Sequence, residues 1–320
     1  MNITSRTTRI AVAGVIAAAA SLVAVAPTAT ATPRRITIAV ITHGDNGSFW
    51  SVAKKGALAA GRALRITVDY QGANNDLQKQ AQLIDAAVTK KVDGIAISLP
   101  SATALQASVR RAIAAGIPVI TLNSGENDFK ALGAITHVGQ DESVAGAGAG
   151  EKLKAAGAKS LLCVIHEQGN SGLEQRCNGA KTTFGGTVEV LYVKGKSDIN
   201  TTSSQISAKL SAKKTIDAVL TLDPDIAMAA AAAIKTAGST AKLATFDMSG
   251  PVVAAIKAGT VLFAVDQQQY LQGYLAVTFL YLNITNANTV GGGLPVMTGP
   301  GFVDKTNVKK VEALAKAGSR

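Results

Sequence analysis

The chain is poor in the residues that carry most protein chemistry. It has two cysteines, three histidines, one tryptophan and only 4% aromatic residues in a length of 320. Two cysteines cannot build a disulfide-dense scaffold or a four-cysteine zinc site. Histidines at His43, His137 and His166 alone do not make a His-rich metal centre, and no motif calls for a cofactor. Acidic residues are scarce too: 21 stand against 32 lysines and arginines, for a formal charge of +11. Such an excess raises nucleic acid as a partner. The lysines are scattered, however, many of them paired near expected helix ends: Lys54-Lys55, Lys90-Lys91, Lys213-Lys214 and Lys309-Lys310. No basic stripe interleaves with aromatics, so the charge reads as solvated helix faces, not a nucleic-acid surface. A hydrophobic content of 47% against 17% charged residues argues against disorder. The 31 glycines follow no Gly-X-Y period, which excludes collagen.

What is present starts with an export signal. Arg6 and Arg9 form a basic segment, residues 10–26 are uncharged and apolar, and Ala29-Thr30-Ala31 is a small-x-small cleavage site. That order is a secretory signal peptide over residues 1–31, cut after Ala31. The competing reading, a retained membrane anchor, suits the short Ala-rich stretch less well, and no later segment has the roughly 18 apolar residues of a span. No cysteine near the cleavage site offers a lipid anchor. The mature chain is expected to be soluble, and periplasmic or secreted. In an oxidising compartment Cys163 and Cys177 can bond, one in an expected strand and the other in the helix after it; two buried thiols are the alternative.

Short β-rich apolar runs recur at 36–41, 66–70, 94–98, 118–122, 161–165, 188–193, 218–221, 243–246 and 262–265. They are nearly continuous in apolar residues, the mark of parallel strands covered on both faces. Helical patterns lie between them; Leu77, Ala81, Ile84 and Val88 share one helix face. Regular βα alternation predicts an α/β fold with parallel sheets. Nine units exceed one comfortable sheet, so two Rossmann-like lobes are expected rather than an eight-stranded barrel. The Gly/Ala-rich zone 133–150 and the run Gly291–Gly293 are candidate inter-lobe segments.

In open α/β sheets, ligands bind beyond the carboxyl ends of the strands. Those tips carry Asp45, Asn46, Phe49 and Trp50 after the first strand, then Asn123 and Ser124. Further tips carry His166, Glu167 and Arg176, then Asp223, Asp247, and Asp266-Gln267-Gln268. Asp, Asn and Arg can hold neighbouring hydroxyls with paired hydrogen bonds, and an aromatic ring can cover the C–H face of a sugar.

At these residues the chain resembles the ribose-binding-protein family of type I periplasmic binding proteins, which serve simple-sugar ABC transporters. The resemblance spans about residues 35–318. It is carried by Phe49-Trp50, Val92-Asp93-Gly94-Ile95 leading to Pro100, Gly116-Ile117-Pro118-Val119-Ile120, Gly139-Gln140-Asp141, Arg176, Asp223, Phe246-Asp247, Asp266-Gln267-Gln268 and Tyr270-Leu271-Gln272-Gly273. It implies two lobes joined by a three-crossover hinge, 35–137 plus 268–296 and 138–267 plus 297–320, with ligand in the cleft between them. It further implies a monomer that closes on its ligand and delivers it to a membrane permease and its ATPase. Carried over residue by residue, the implied ligand set is Asn46, Phe49, Trp50, Asn123, Ser124, Arg176, Asp223, Asp247 and Gln267. Asp45, His166 and Glu167 form a second tier. Asn123-Ser124 departs from the Asp-Arg that many pentose and hexose binders carry, which points towards a smaller or more linear polyol.

Other functions with this fold fit less well. A transcription regulator needs an N-terminal helix-turn-helix where this chain has its export signal. A secreted glycosidase would use Asp223 and Asp247 as its carboxylate pair, whereas two carboxylates that bind hydroxyls need no further machinery. A receptor for a signal molecule, such as a quorum-sensing furanosyl compound, or for a chemotaxis ligand shares every feature above.

Overall fold

The structure is a computed structural model, describing Met1 and residues 35–45 and 47–320. The expected signal peptide beyond Met1, and Asn46, lie outside the described residues. The chain first runs through β1 (Thr37–Thr42), α1 (Gly47–Leu64), β2 (Thr67–Gly72), α2 (Leu77–Thr89), β3 (Gly94–Ile97), α3 (Ala102–Ala114), β4 (Val119–Leu122), α4 (Phe129–Leu132) and β5 (His137–Gly139). It then builds a second series: α5 (Glu142–Ala155), β6 (Ser160–Ile165), α6 (Ser171–Phe184), β7 (Thr187–Tyr192), α7 (Ile199–Ala212), β8 (Ala218–Thr221), α8 (Pro224–Thr236), β9 (Lys242–Phe246), α9 (Gly250–Ala258) and β10 (Phe263–Asp266). It returns for α10 (Gln269–Asn286) and β11 (Val296–Met297), and crosses once more to β12 (Gly301–Asp304) and α11 (Glu312–Lys316).

Two six-stranded sheets result, in the orders β11-β5-β4-β3-β1-β2 and β12-β10-β9-β8-β6-β7. Among the described residues, the expected pair of α/β lobes is therefore found, and a closed barrel is not. The strands are apolar on both faces because helices cover both, which places a core cluster on each side of each sheet. One correction concerns strand direction: β12 runs antiparallel to β10, pairing Gly301 with Asp266 and Asp304 with Phe263. Its entry point is the reason. The chain arrives at the carboxyl end of β10, straight from the other lobe, and can only run back along it. Strands β5, β11 and β12 were absent from the sequence reading. β5 and β11, at three and two residues, are too short to show a propensity signal, and β12 sets only two apolar residues between Gly301 and Asp304. A second correction concerns Gly291–Gly293: this run precedes β11, which still pairs with β5, so the crossing follows at residues 298–300.

Both lobes pack a helix pair backbone to backbone. A Cβ at Gly56 of α1 would lie 2.0 Å from the Tyr270 carbonyl oxygen of α10, and one at Gly273 would lie 2.2 Å from that of Ala53. In the second lobe, a Cβ at Gly146 of α5 would lie 2.1 Å from the Arg176 carbonyl of α6, and one at Gly179 would lie 2.2 Å from that of Ser143. These four positions require glycine because any side chain would meet rigid backbone. The Cys163–Cys177 disulfide, left open against two thiols by the sequence, is formed and ties α6 to β6.

The three crossings bond to one another. The Thr298 backbone N–H donates to the Gly139 carbonyl. The Thr298 hydroxyl lies 2.7 Å from the Gln267 carbonyl oxygen. Gln272 Nε2 donates to Gln267 Oε1 at 3.0 Å. A hinge with bonded strands of chain permits rotation of the lobes about it while resisting their separation.

Candidate ligand site

The strand tips of the two sheets face each other and enclose a cavity of about 350 Å³, part of it open to solvent. His43, Phe49, Trp50, Asn123 and Ser124 line it from the first lobe; His166, Glu167, Asn170, Leu173, Arg176, Lys196, Leu222, Asp223 and Asp247 line it from the second. Gln267, at the second crossing, completes the wall.

The aromatic wall begins at the N-terminal turn of α1. Trp50 stacks edge to face with Phe49 and with His43, each at 4.8 Å between ring centres. Gly44 makes room for the indole, since a Cβ there would lie 2.0 Å from Trp50 Nε1. At the tips of β4 and β9, Asn123 and Asp247 adopt matching left-handed backbones with φ of 62° and 68°. Asn and Asp tolerate that conformation better than other side-chain-bearing residues. A hydrogen-bond relay then spans the site from lobe to lobe. Ser124 Oγ donates to Asn123 Oδ1 at 2.9 Å, Asn123 Nδ2 to Gln267 Oε1 at 3.1 Å, and Gln267 Nε2 to Asp247 Oδ1 at 2.8 Å.

Arg176, expected as a fork for hydroxyls, lines the cavity and is also anchored inside the protein by an ion pair. It is buried, and its Nε and Nη2 donate to Glu142 Oε2 and Oε1 at 2.6 and 2.8 Å. Its guanidinium lies 4.5 Å over the Phe246 ring. Nη1 also donates to the Leu222 carbonyl at 3.3 Å, so one hydrogen on each of Nη1 and Nη2 is left for the cavity. Glu142 was missed by the sequence reading, although its place in the first turn of α5, just past Gly139-Gln140-Asp141, was the available signal. Asp223 has two roles rather than one. Its Oδ1 accepts from the Asp225 and Ile226 amides as the N-cap of α8, while Oδ2 accepts from Lys196 Nζ at 3.0 Å. Lys196 was also missed; it lies on a short 3-10 turn after β7, with no motif around it.

Titration follows these contacts. Burial pushes Asp247 up to about 8, against the opposing pull of Arg176 and the Gln267 bond. Burial lowers His166, in spite of the nearby Glu167 and Asp223 carboxylates. Burial works against the charge on Glu167 as well, yet His43, His166 and Asn170 together hold that carboxyl well below its usual range. His166 is incompletely bonded: its Nδ1 has no hydrogen-bond partner among the described residues, and its Nε2 faces Glu167 and Asp223 at 3.8 and 3.9 Å.

Of the residues the sequence singled out, the structure brings Phe49, Trp50, Asn123, Ser124, Arg176, Asp223, Asp247 and Gln267 to one cavity, with His166 and Glu167. Asp45 is not brought there. It is exposed and lies over Gly72 at the end of β2. Asn170, the N-cap of α6, holds Glu167 through a 2.8 Å bond and was not foreseen. Among the described residues, no group of His, Cys, Asp and Glu could hold a metal ion, and no helix is long and apolar enough to cross a membrane.

Two sheet-bearing lobes around a polar cavity with one aromatic wall define a hinged binding protein. The chain belongs to the periplasmic binding protein family, whose domain matches residues 38–288. It is similar to a carbohydrate transporter from Acidothermus cellulolyticus 11B, solved in complex with myo-inositol: 47% identity, 89% of this chain and 100% of that one covered, TM-score 0.87. A solute-binding protein of an ABC transporter from Agrobacterium vitis, bound with α-D-tagatopyranose, shares 28% identity over 88% of this chain and 99% of its own, with a TM-score of 0.76. The xylitol-binding protein of Mycolicibacterium smegmatis is 27% identical over 248 residues, 75% of this chain and 69% of its own. The family consists of binding proteins, and the relatives named bind sugars or polyols.

Proposed function

We propose that this protein is the exported substrate-binding component of an ABC transporter and that it captures a neutral polyol between its lobes, with myo-inositol or a close cyclitol first among the candidates. It works as a monomer, outside the cytoplasmic membrane, and hands its ligand unaltered to a permease driven by an ATPase. The observation that carries this reading is that, among the described residues, both permanent cations lining the cavity already face a carboxylate: Arg176 faces Glu142, and Lys196 faces Asp223. An anionic ligand would have to displace one of those pairs, whereas a neutral ring of hydroxyls can use the remaining donors and acceptors. The 47% identical relative solved with myo-inositol supports the cyclic polyol.

Phe49 and Trp50 would cover the C–H face of the ring. Asn123, Arg176, Asp223, Asp247 and Gln267 would bond its hydroxyls. The Asp223 carboxylate, held by a helix cap and by Lys196, has no free role as a glycosidase acid or base. Thermal-shift screening of the mature protein against myo-inositol, xylitol, ribose and tagatose tests the reading, because a ligand that binds only the folded state raises the melting point. The expected result is the largest shift with myo-inositol, lost in Asp247→Ala while the free protein stays folded. A shift produced only by anionic compounds, or turnover of any glycoside, would overturn it.

A further inference from the structure

Outside the cavity, the lobes meet again where two helix N-termini approach each other. The first turn of α1, from one lobe, faces the first turn of α8, from the other. The Asp225 carboxylate lies between them: its Oδ1 accepts the Ser48 hydroxyl at 2.6 Å, and its Oδ2 accepts the Ser48 backbone amide at 3.1 Å. That amide is one of the orphan donors every helix leaves at its start, normally satisfied by a cap from its own chain segment. Here the other lobe supplies the acceptor. Asp225 is spare for this purpose because α8 has its own cap in Asp223. The two positive helix ends would repel each other if they met bare, and the carboxylate between them offsets that repulsion.

Gly47 is a second, independent sign of fit. A Cβ at this residue would lie 2.7 Å from Asp225 Oδ2 and 3.0 Å from Lys196 Nζ. The missing side chain therefore leaves the gap that both charged groups occupy. Neither Ser48 nor Asp225 lines the cavity.

We infer that Ser48 and Asp225 form a clasp that exists only when the lobes are closed, and that it sets how long the ligand stays. The inference rests on the proposed function for its ligand, but the clasp itself belongs to the protein. In the open form the Asp225 carboxylate returns to water beside its own helix, and the α1 amide loses its acceptor. The clasp thus favours the closed state over the open one without touching ligand, and that difference alone can shift the population. Opening must break two hydrogen bonds to a charged group, so the effect falls on ligand release, while capture by the open form is unaffected.

The test compares the wild type with Asp225→Asn and Ser48→Ala, using myo-inositol as probe and stopped-flow measurement of association and release. Asp225→Asn is expected to release ligand about tenfold faster and Ser48→Ala by a smaller factor, because in the latter the backbone amide of residue 48 keeps its acceptor, with the association rate unchanged in both. The double variant is expected to fall short of the sum of the two single effects, because both weaken the same clasp. Unchanged release in both variants overturns the inference, as does a fully additive double variant. If the wild type binds no polyol, the proposed function fails, but the clasp is still tested. Spin-label distances between the lobes of the free protein should then show a smaller closed fraction in Asp225→Asn than in the wild type, and identical distributions overturn the clasp.

Discussion

Asp247 is buried at the tip of β9, in the field of the Arg176 guanidinium and with one oxygen bonded to Gln267. Its folded-state value of about 8 lies far above the ordinary aspartate value it regains on unfolding. Between those two values the folded protein holds a proton that the unfolded chain releases. Stability from this group is therefore fully present below about pH 4 and is lost progressively as pH rises to about 8. Asp247→Asn keeps an acceptor for Gln267 and should flatten that part of the pH–melting profile of the free protein, which calorimetry between pH 5 and 9 can check. Glu142→Ala should act differently. It leaves the buried Arg176 without its bidentate partner, and loss of about 3 kcal/mol is expected in urea unfolding at neutral pH. The strand-tip rule was enough to find Asn123, Ser124, His166, Glu167, Asp223, Asp247 and Gln267 in the sequence, because each follows closely on an apolar run; Phe49, Trp50 and Arg176, further on in helices, came with the family resemblance. Lys196 could not be found that way, since it sits on a 3-10 turn with no motif around it, and Glu142 was passed over because the strand before its helix, β5, is only three residues long.

At the scale of elements, α6 is the piece on which the second lobe's half of the site turns. It carries Arg176, begins at Asn170, is bonded to β6 through Cys177, and meets α5 through Gly146 and Gly179. A methyl group at Gly179 would be forced against the Ser143 carbonyl. Gly179→Ala should therefore cost about 2 kcal/mol of stability and weaken ligand binding by moving Arg176, as urea unfolding and calorimetric titration would show. Removing the disulfide in a Cys163→Ala, Cys177→Ala double variant frees a loop with a sequence separation of 14. A loss of about 3 kcal/mol is expected in the same unfolding assay. The helices and long strands were legible from periodicity. The glycines of α5 read only as an Ala/Gly-rich zone in the sequence, since close helix packing is a property of two segments and neither shows it alone.

At the scale of the molecule, the pattern of buried runs was enough to predict two parallel-sheet lobes, because strands covered on both faces must be nearly continuous in apolar residues. The points of passage between lobes were harder. They consist of two- to four-residue strands and of polar side chains such as Gln267 and Thr298, whose role depends on three distant stretches of chain meeting. If ligand closes the cleft as proposed, small-angle scattering should show the radius of gyration fall when myo-inositol is added, with no change in mass.

The three passages have a practical consequence for anyone who would take the protein apart. The face of α1 that carries Ala53, Gly56 and Ala57 is covered by α10, which comes more than 200 positions later in the chain. A fragment ending anywhere before residue 269 would leave that face bare, so neither half can be obtained with a single cut. A chimera that borrows one half from a relative needs three junctions, one at each passage.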